Sequence, residues 1–83
     1  MNKNDILKQL WEERAVDKYG YKYLRRWSPD KQEDLKSEVW AAIAEIDEQR
    51  LTDLEAQGWK HLTAYIRQFV LNSLTPHGKT RFL

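Results

Sequence analysis

Residues 28–46 read SPDKQEDLKSEVWAAIAEI, and this stretch decides the fold class. Ser28 followed by Pro29 is a helix start: a serine N-cap, then a proline at the first helical position, where its missing N–H costs nothing. Asp30, Glu33 and Asp34 fall in the opening turns, where the helix dipole favours negative charge. Leu35, Val39, Ala42, Ile43 and Ile46 recur at i, i+4, i+7, i+8 and i+11, one apolar stripe of an amphipathic helix expected to run to about Gln49. Trp40 lies at the edge of that stripe.

Working outward, Ile6, Leu7, Leu10 and Trp11 form another such stripe. They predict a first helix capped by Asn4 and closed by Gly20 in the left-handed C′ position. A short piece, Tyr21 to Trp27, follows. Thr52-Asp53-Leu54-Glu55 has capping-box form and predicts a turn of helix stopped by Gly58. A last helix from about Trp59 to Leu74 places Trp59, Leu62, Ile66, Phe69, Val70 and Leu74 on one side, with Pro76 ending it. No segment alternates as a strand would. The expectation is an all-α fold: a compact bundle of three main helices plus short helical pieces. One domain spans residues 1–75, and residues 76–83 are expected to form a flexible tail.

Composition narrows the function classes. The chain has 83 residues, 41% hydrophobic and 33% charged, with ten aromatics, which is too apolar for a disordered chain. With no cysteine there is no disulfide or thiolate site, and a reducing compartment is expected. No apolar run approaches the roughly 20 residues of a membrane span, and Met1 to Asp5 is polar rather than a leader core. A cytoplasmic location follows as the expectation. Gly20, Gly58 and Gly78 stand alone, so no phosphate-binding loop is present. The two histidines, His61 and His77, have no partner ligand at helical spacing. No catalytic constellation, metal or cofactor is expected.

The net charge of +1 hides a segregation. Residues 1–27 carry seven basic and four acidic side chains, residues 28–57 three and nine, and residues 58–83 four and none. Faces of opposite sign point to two different partners.

Two motifs extend the reading. Glu33-Asp34-Leu35-Lys36-Ser37-Glu38-Val39-Trp40 resembles the E-D-L-x-Q-E-V-[FW] signature of the second conserved region of bacterial sigma factors. Ala64-Tyr65-Ile66-Arg67-Gln68-Phe69-Val70-Leu71-Asn72 resembles the A-W-L-x-x-I-A-x-N helix of the extracytoplasmic-function class, and Tyr65-Ile66-Arg67-Gln68 the W-I-R-Q of the housekeeping class. The likeness covers roughly residues 15 to 75, with the motifs in the right order and separation. It departs at Ser37, where glutamine is usual. It departs also at Leu71, where the housekeeping class has a polar base-reading residue, and at Thr75-Pro76-His77-Gly78, which interrupts the arginine-rich continuation.

The resemblance implies a sigma-like transcription-initiation regulator. Its acidic helix, residues 30–48, would dock on the clamp helices of the largest subunit of bacterial RNA polymerase through Asp34, Lys36, Ser37 and Glu38. Its last helix would contact promoter −10 DNA through Tyr65, Arg67 and Gln68, with Lys60, His61, Lys79 and Arg81 as a basic fringe that Lys22, Arg25 and Arg26 extend. The chain stops at Leu83 without a −35-reading domain, so a second chain supplying that reader and a phage or mobile-element origin are further expectations. The alternative is a small helical interaction module, an adaptor or inhibitor without DNA binding. A plain helix-turn-helix binder of duplex DNA fits less well, because the last helix offers few polar side chains to a groove.

Overall fold

The structure is a computed structural model, and residues 2–74 are described. Among them are five helices and no strand: α1 (Lys3–Glu12), α2 (Ala15–Leu24), α3 (Pro29–Ala44), α4 (Glu48–Gln57) and α5 (Trp59–Leu74). The all-α fold expected from the sequence is present, built of two helices of 16 residues and three of 10. The expected tail, residues 76–83, lies outside the described residues. No described helix is long and apolar enough to cross a membrane.

The first predicted helix is two. Asn2, not Asn4, caps α1, its side-chain oxygen accepting from the Asp5 N–H at 2.9 Å. The helix stops at Glu12 and restarts at Ala15 across Arg14, whose backbone is left-handed (φ 54°, ψ 48°). Core phase explains the break. Ile6 and Leu10 are fully buried, and a straight helix would next turn Glu13, Arg14 and Asp17 to the same side. Ala15, also buried, would point the opposite way. The left-handed residue re-phases the chain so that Ala15, Val16, Gly20 and Leu24 face inward. Trp11, expected on the apolar stripe, is 64% exposed, lying beside rather than on the Ile6–Leu10 line of α1.

Gly20 consequently does not end a helix; it sits inside α2. A Cβ there would lie 2.6 Å from Leu74 Cδ1 and 3.3 Å from Val70 Cγ1, so its bare backbone is what α5 packs against. The α2–α5 pairing is the most extensive in the molecule, followed by α4–α5.

At the α3 start, Ser28 caps as predicted, its hydroxyl accepting from the Lys31 N–H at 3.4 Å, with Pro29 behind it. The Gln32 side-chain amide adds a 2.8 Å bond to the Trp27 carbonyl, tying the corner down. The helix ends at Ala44, earlier than predicted. Ile46 continues the core series from the turn beyond it, 8% exposed, and its N–H bonds back to the Ile43 carbonyl at 3.1 Å. The predicted short turn at Thr52 is the middle of α4, where the Thr52 hydroxyl donates to the Gln49 carbonyl at 3.1 Å instead of capping. Gly58 (φ 129°) makes the sharp break between α4 and α5, and its carbonyl accepts the His61 and Leu62 N–H groups. Only glycine takes that conformation without strain.

Eight aliphatic side chains fill the centre: Ile6, Leu10, Val16, Ile43, Leu51, Leu62, Ile66 and Val70, with no buried polar residue among the described ones. Burial of each contributes about 1.5–3 kcal/mol. Tyr19, Trp40, Trp59, Tyr65 and Phe69 pack around this core rather than in it. Outside it, Lys36 bridges α3 to α2, its ammonium 3.1 Å from Asp17 and 3.0 Å from Glu33. The Glu33 and Asp17 carboxylates, hydrogen-bonded to it, raise its pKa above the ordinary lysine value.

Two stability measurements test this packing. Gly20→Val forces branched carbons between α2 and α5 and is expected to destabilise by about 1–3 kcal/mol in urea titration. Gly20→Ala displaces only the tip of Leu74 and gains about 1 kcal/mol of helix propensity, so it should stay close to the parent. Equal stability of the valine variant would contradict the close approach. Arg14→Gly should stabilise by roughly 0.5–1 kcal/mol, since a left-handed non-glycine residue costs about 1–2 kcal/mol and glycine's entropy returns part of that. Loss of stability on that change would contradict the left-handed turn.

Candidate docking and nucleic-acid surfaces

The buried side of α3 is carried by Val39 and Ile43, with Leu35 and Ala42 half-buried beside them. The opposite side is a stripe of Asp30, Asp34, Ser37, Glu38, Ala41 and Glu45, every one exposed. Asp30, Asp34 and Glu38 are four residues apart and so stand above one another, each pair of like charges costing about 0.2–0.5 kcal/mol. Glu45, at the C-cap, meets the negative end of the helix dipole, again unfavourably. No cation pairs with any of these four carboxylates among the described residues. The like-charge pairs and Glu45 at the C-cap are thus a cost to the free domain, set against the favourable place of Asp30 in the first turn, and the stripe is free to meet cations from elsewhere.

Of the four residues expected to dock on polymerase, Asp34, Ser37 and Glu38 share this outer face. Lys36 does not: it lies on the α2 side, held by Asp17 and Glu33. The acidic helix expected over 30–48 is also shorter. Asp47 and Glu48 belong to the start of α4, because the chain must turn after Ala44 to bring Ile46 and Leu51 into the core.

On α5, Lys60, His61, Arg67 and Gln68 are exposed, and with Ala64 they form the outer face of the helix. No carboxylate occurs anywhere in α5. Tyr65 is placed differently. It is half-buried at the α4 side, its ring 6.3 Å from that of Phe69, with the Arg50 guanidinium of α4 5.9 Å from its centroid. One ring face is thus occupied by a cation of the chain itself, a contact worth about 0.5–1 kcal/mol at such exposed sites. The Gln68 amide donates to Asn72 at 3.0 Å. Lys79 and Arg81 lie outside the described residues.

A feature that the sequence did not reveal sits between the α1–α2 turn and α3. The Trp11 and Trp40 rings meet at 5.1 Å between centroids, tilted by 53°. They wall a groove of about 550 Å³ completed by Arg14, Asp17, Glu33, Lys36 and Ser37. Trp11 reaches it from the last turn of α1, just before the break at Arg14. The one signal available beforehand was the polar triplet Glu12-Glu13-Arg14, where an uninterrupted apolar stripe needed a hydrophobic side chain.

No protein-family model, curated protein or solved structure matches the chain, so the sigma-factor likeness rests on its two motifs and the distance between them.

Proposed function

We propose that this chain is a sigma-like transcription-initiation regulator. It docks on bacterial RNA polymerase, at the clamp helices of the largest subunit, through the outer face of α3, and meets promoter −10 DNA through α5. The observation that carries the reading is the acidic stripe of Asp30, Asp34, Glu38 and Glu45, unpaired among the described residues, which falls within and beside the motif resembling the sigma signature. A basic partner relieves the repulsion along that stripe, and complementary charge sets the rate of encounter and the register more than the raw affinity. Support for the DNA half is the carboxylate-free outer face of α5, with Lys60, His61, Arg67 and Gln68 exposed on it. Few cations limit it to weak, salt-sensitive binding. A cytoplasmic site of action belongs to the same proposal.

Charge reversal separates docking from folding. Asp34→Lys and Glu38→Lys together should weaken capture of core polymerase at least tenfold in a quantitative pull-down. Their thermal midpoint should stay close to that of the parent, because the 30/34 repulsion becomes an attraction while positions 34 and 38 still carry like charges. Undiminished capture by the double variant would rule out this face as the docking surface.

The Trp11–Trp40 groove favours a second reading, an adaptor or inhibitor that binds protein alone. A half-exposed tryptophan pair is the kind of anchor that dominates such interfaces. On that reading Trp11→Ala abolishes capture of the protein partner, and the unaltered domain leaves forked DNA unshifted at low salt. A shifted fork that depends on Lys60 and Arg67 would decide for the first.

A further inference from the structure

The C-terminal half of α2 and its turn into α3 carry Lys22, Arg25 and Arg26, expected from the sequence only to extend the basic fringe of α5, together with aromatic rings that neither the acidic stripe nor α5 uses. Between Lys18 and Pro29 the chain has four cations, Lys18, Lys22, Arg25 and Arg26, and no carboxylate. All four are exposed, and none forms an ion pair among the described residues. Lys18, Tyr21, Lys22 and Arg25 follow at i, i+3, i+4 and i+7, one outer face of the helix and its end.

Aromatic rings are set among them. Tyr21 is 64% and Trp27 44% exposed, and Tyr23 is half-buried. Each has a cation of the chain over one ring face, as Tyr65 has: Arg25 at 5.9 Å from the Tyr21 centroid, Arg26 at 5.8 Å from Tyr23, and Lys31 of α3 at 5.9 Å from Trp27; the exposure of Tyr21 and Trp27 leaves the rest of those two rings in contact with solvent. Leu24, the aliphatic residue of the segment, is spent in the core at 3% exposure. The surface therefore offers ring faces and cations without aliphatic bulk. A lipid interface asks for an apolar face of buried depth. Stacked bases joined by phosphates ask for the combination found here, rings that accept any base and cations that track the backbone. Paired bases in a duplex keep their faces covered, so the rings select unpaired strands.

We propose that the α2–α3 corner binds single-stranded nucleic acid, with bases on Tyr21 and Trp27 and phosphates on Lys22, Arg25, Arg26 and Lys31. The site uses no residue of the acidic stripe or of α5, and it stands whether or not the domain docks on polymerase.

Fluorescence anisotropy of a labelled 12-nucleotide oligothymidylate, titrated with the whole chain from about 30 to 200 mM salt, provides the test. Four phosphate contacts predict a slope of log affinity on log salt near −3, from about −0.7 per contact on single strands. Tyr21→Ala with Trp27→Ala should weaken binding about 5- to 100-fold and leave the slope unchanged, as lost stacking does. Arg25→Ala with Arg26→Ala should flatten the slope by about 1.4. Lys60→Ala with Arg67→Ala, on α5, should leave a clear majority of the affinity for this probe. The exposed rings are outside the core, so helical circular dichroism should persist; if the double variant loses it, Tyr21→Leu alone gives the same reading. Four results overturn the proposal: no binding at the lowest salt, equal affinity for a 12-base-pair duplex, an undiminished ring variant, or loss confined to the α5 variant. Cosedimentation with phosphatidylserine vesicles in place of oligonucleotide binding likewise overturns it, in favour of a lipid surface.

Discussion

The approach of α5 to α2 across Gly20 is the constraint from which the remaining geometry follows. With Leu74 Cδ1 only 2.6 Å from where a side chain would begin, and Val70 beside it, α5 lies on the backbone of α2. That contact sets the phase of α5. Leu62, Ile66 and Val70 turn inward, and Lys60, His61, Ala64 and Gln68 are left outside. It sets the phase of α2 as well, sending Ala15, Val16 and Leu24 to the core and Lys18, Tyr21, Lys22 and Arg25 to water. A helix pair this close leaves no room for an aromatic layer between its members. The large rings are accordingly displaced to the margins of an aliphatic centre, where they border every surface assigned a role above.

The left-handed turn at Arg14 solves a conflict that this arrangement creates. Ile6 and Leu10 must face the core from α1 while Ala15 and Val16 face it from α2, and no straight helix satisfies both. One residue in a conformation costing about 1–2 kcal/mol resolves the phase, a modest cost against the burial of several aliphatic side chains. Its consequence is functional in potential. Arg14 lines the groove that Trp11 and Trp40 wall, so the turn contributes directly to it.

These two features also explain what the sequence disclosed and what it withheld. Local signals were legible: the Ser28-Pro29 start, the stop at Gly58 and the periodic faces of α3 and α5 all depend on residues within a turn or two of one another. The break at Arg14, the interior place of Gly20 and the early end of α3 depend on partners far along the chain. Gly20 reads as a helix terminator until Leu74, 54 residues later, is known to lie on it. Candidate sites divide the same way. Asp34, Ser37 and Glu38 emerge together because helix phase alone separates them from Val39 and Ile43. Lys36 and Tyr65 are claimed by Asp17 and Arg50, partners that periodicity does not announce.

Charge on this domain is arranged for orientation. A net charge of +1 gives almost no long-range attraction to either a basic or an acidic partner. At physiological ionic strength, moreover, exposed charges are screened beyond about 8 Å. What acts at short range is the contrast between neighbouring elements, each without an ion-pair partner among the described residues: an acidic stripe on α3, and cations on α2 just across the Ser28-Pro29 corner. A partner carrying cations and a polyanion side by side, as a polymerase engaged with melted DNA does, fits that contrast in one orientation and repels it in the reverse. The Lys36 bridge to Asp17 and Glu33 joins the two elements between those surfaces. The core supplies the rigidity by aliphatic packing, with no buried polar residue among the described ones. Selection by orientation needs both signs on one small body and a fixed angle between them, and the packed α2, α3 and α5 provide that angle.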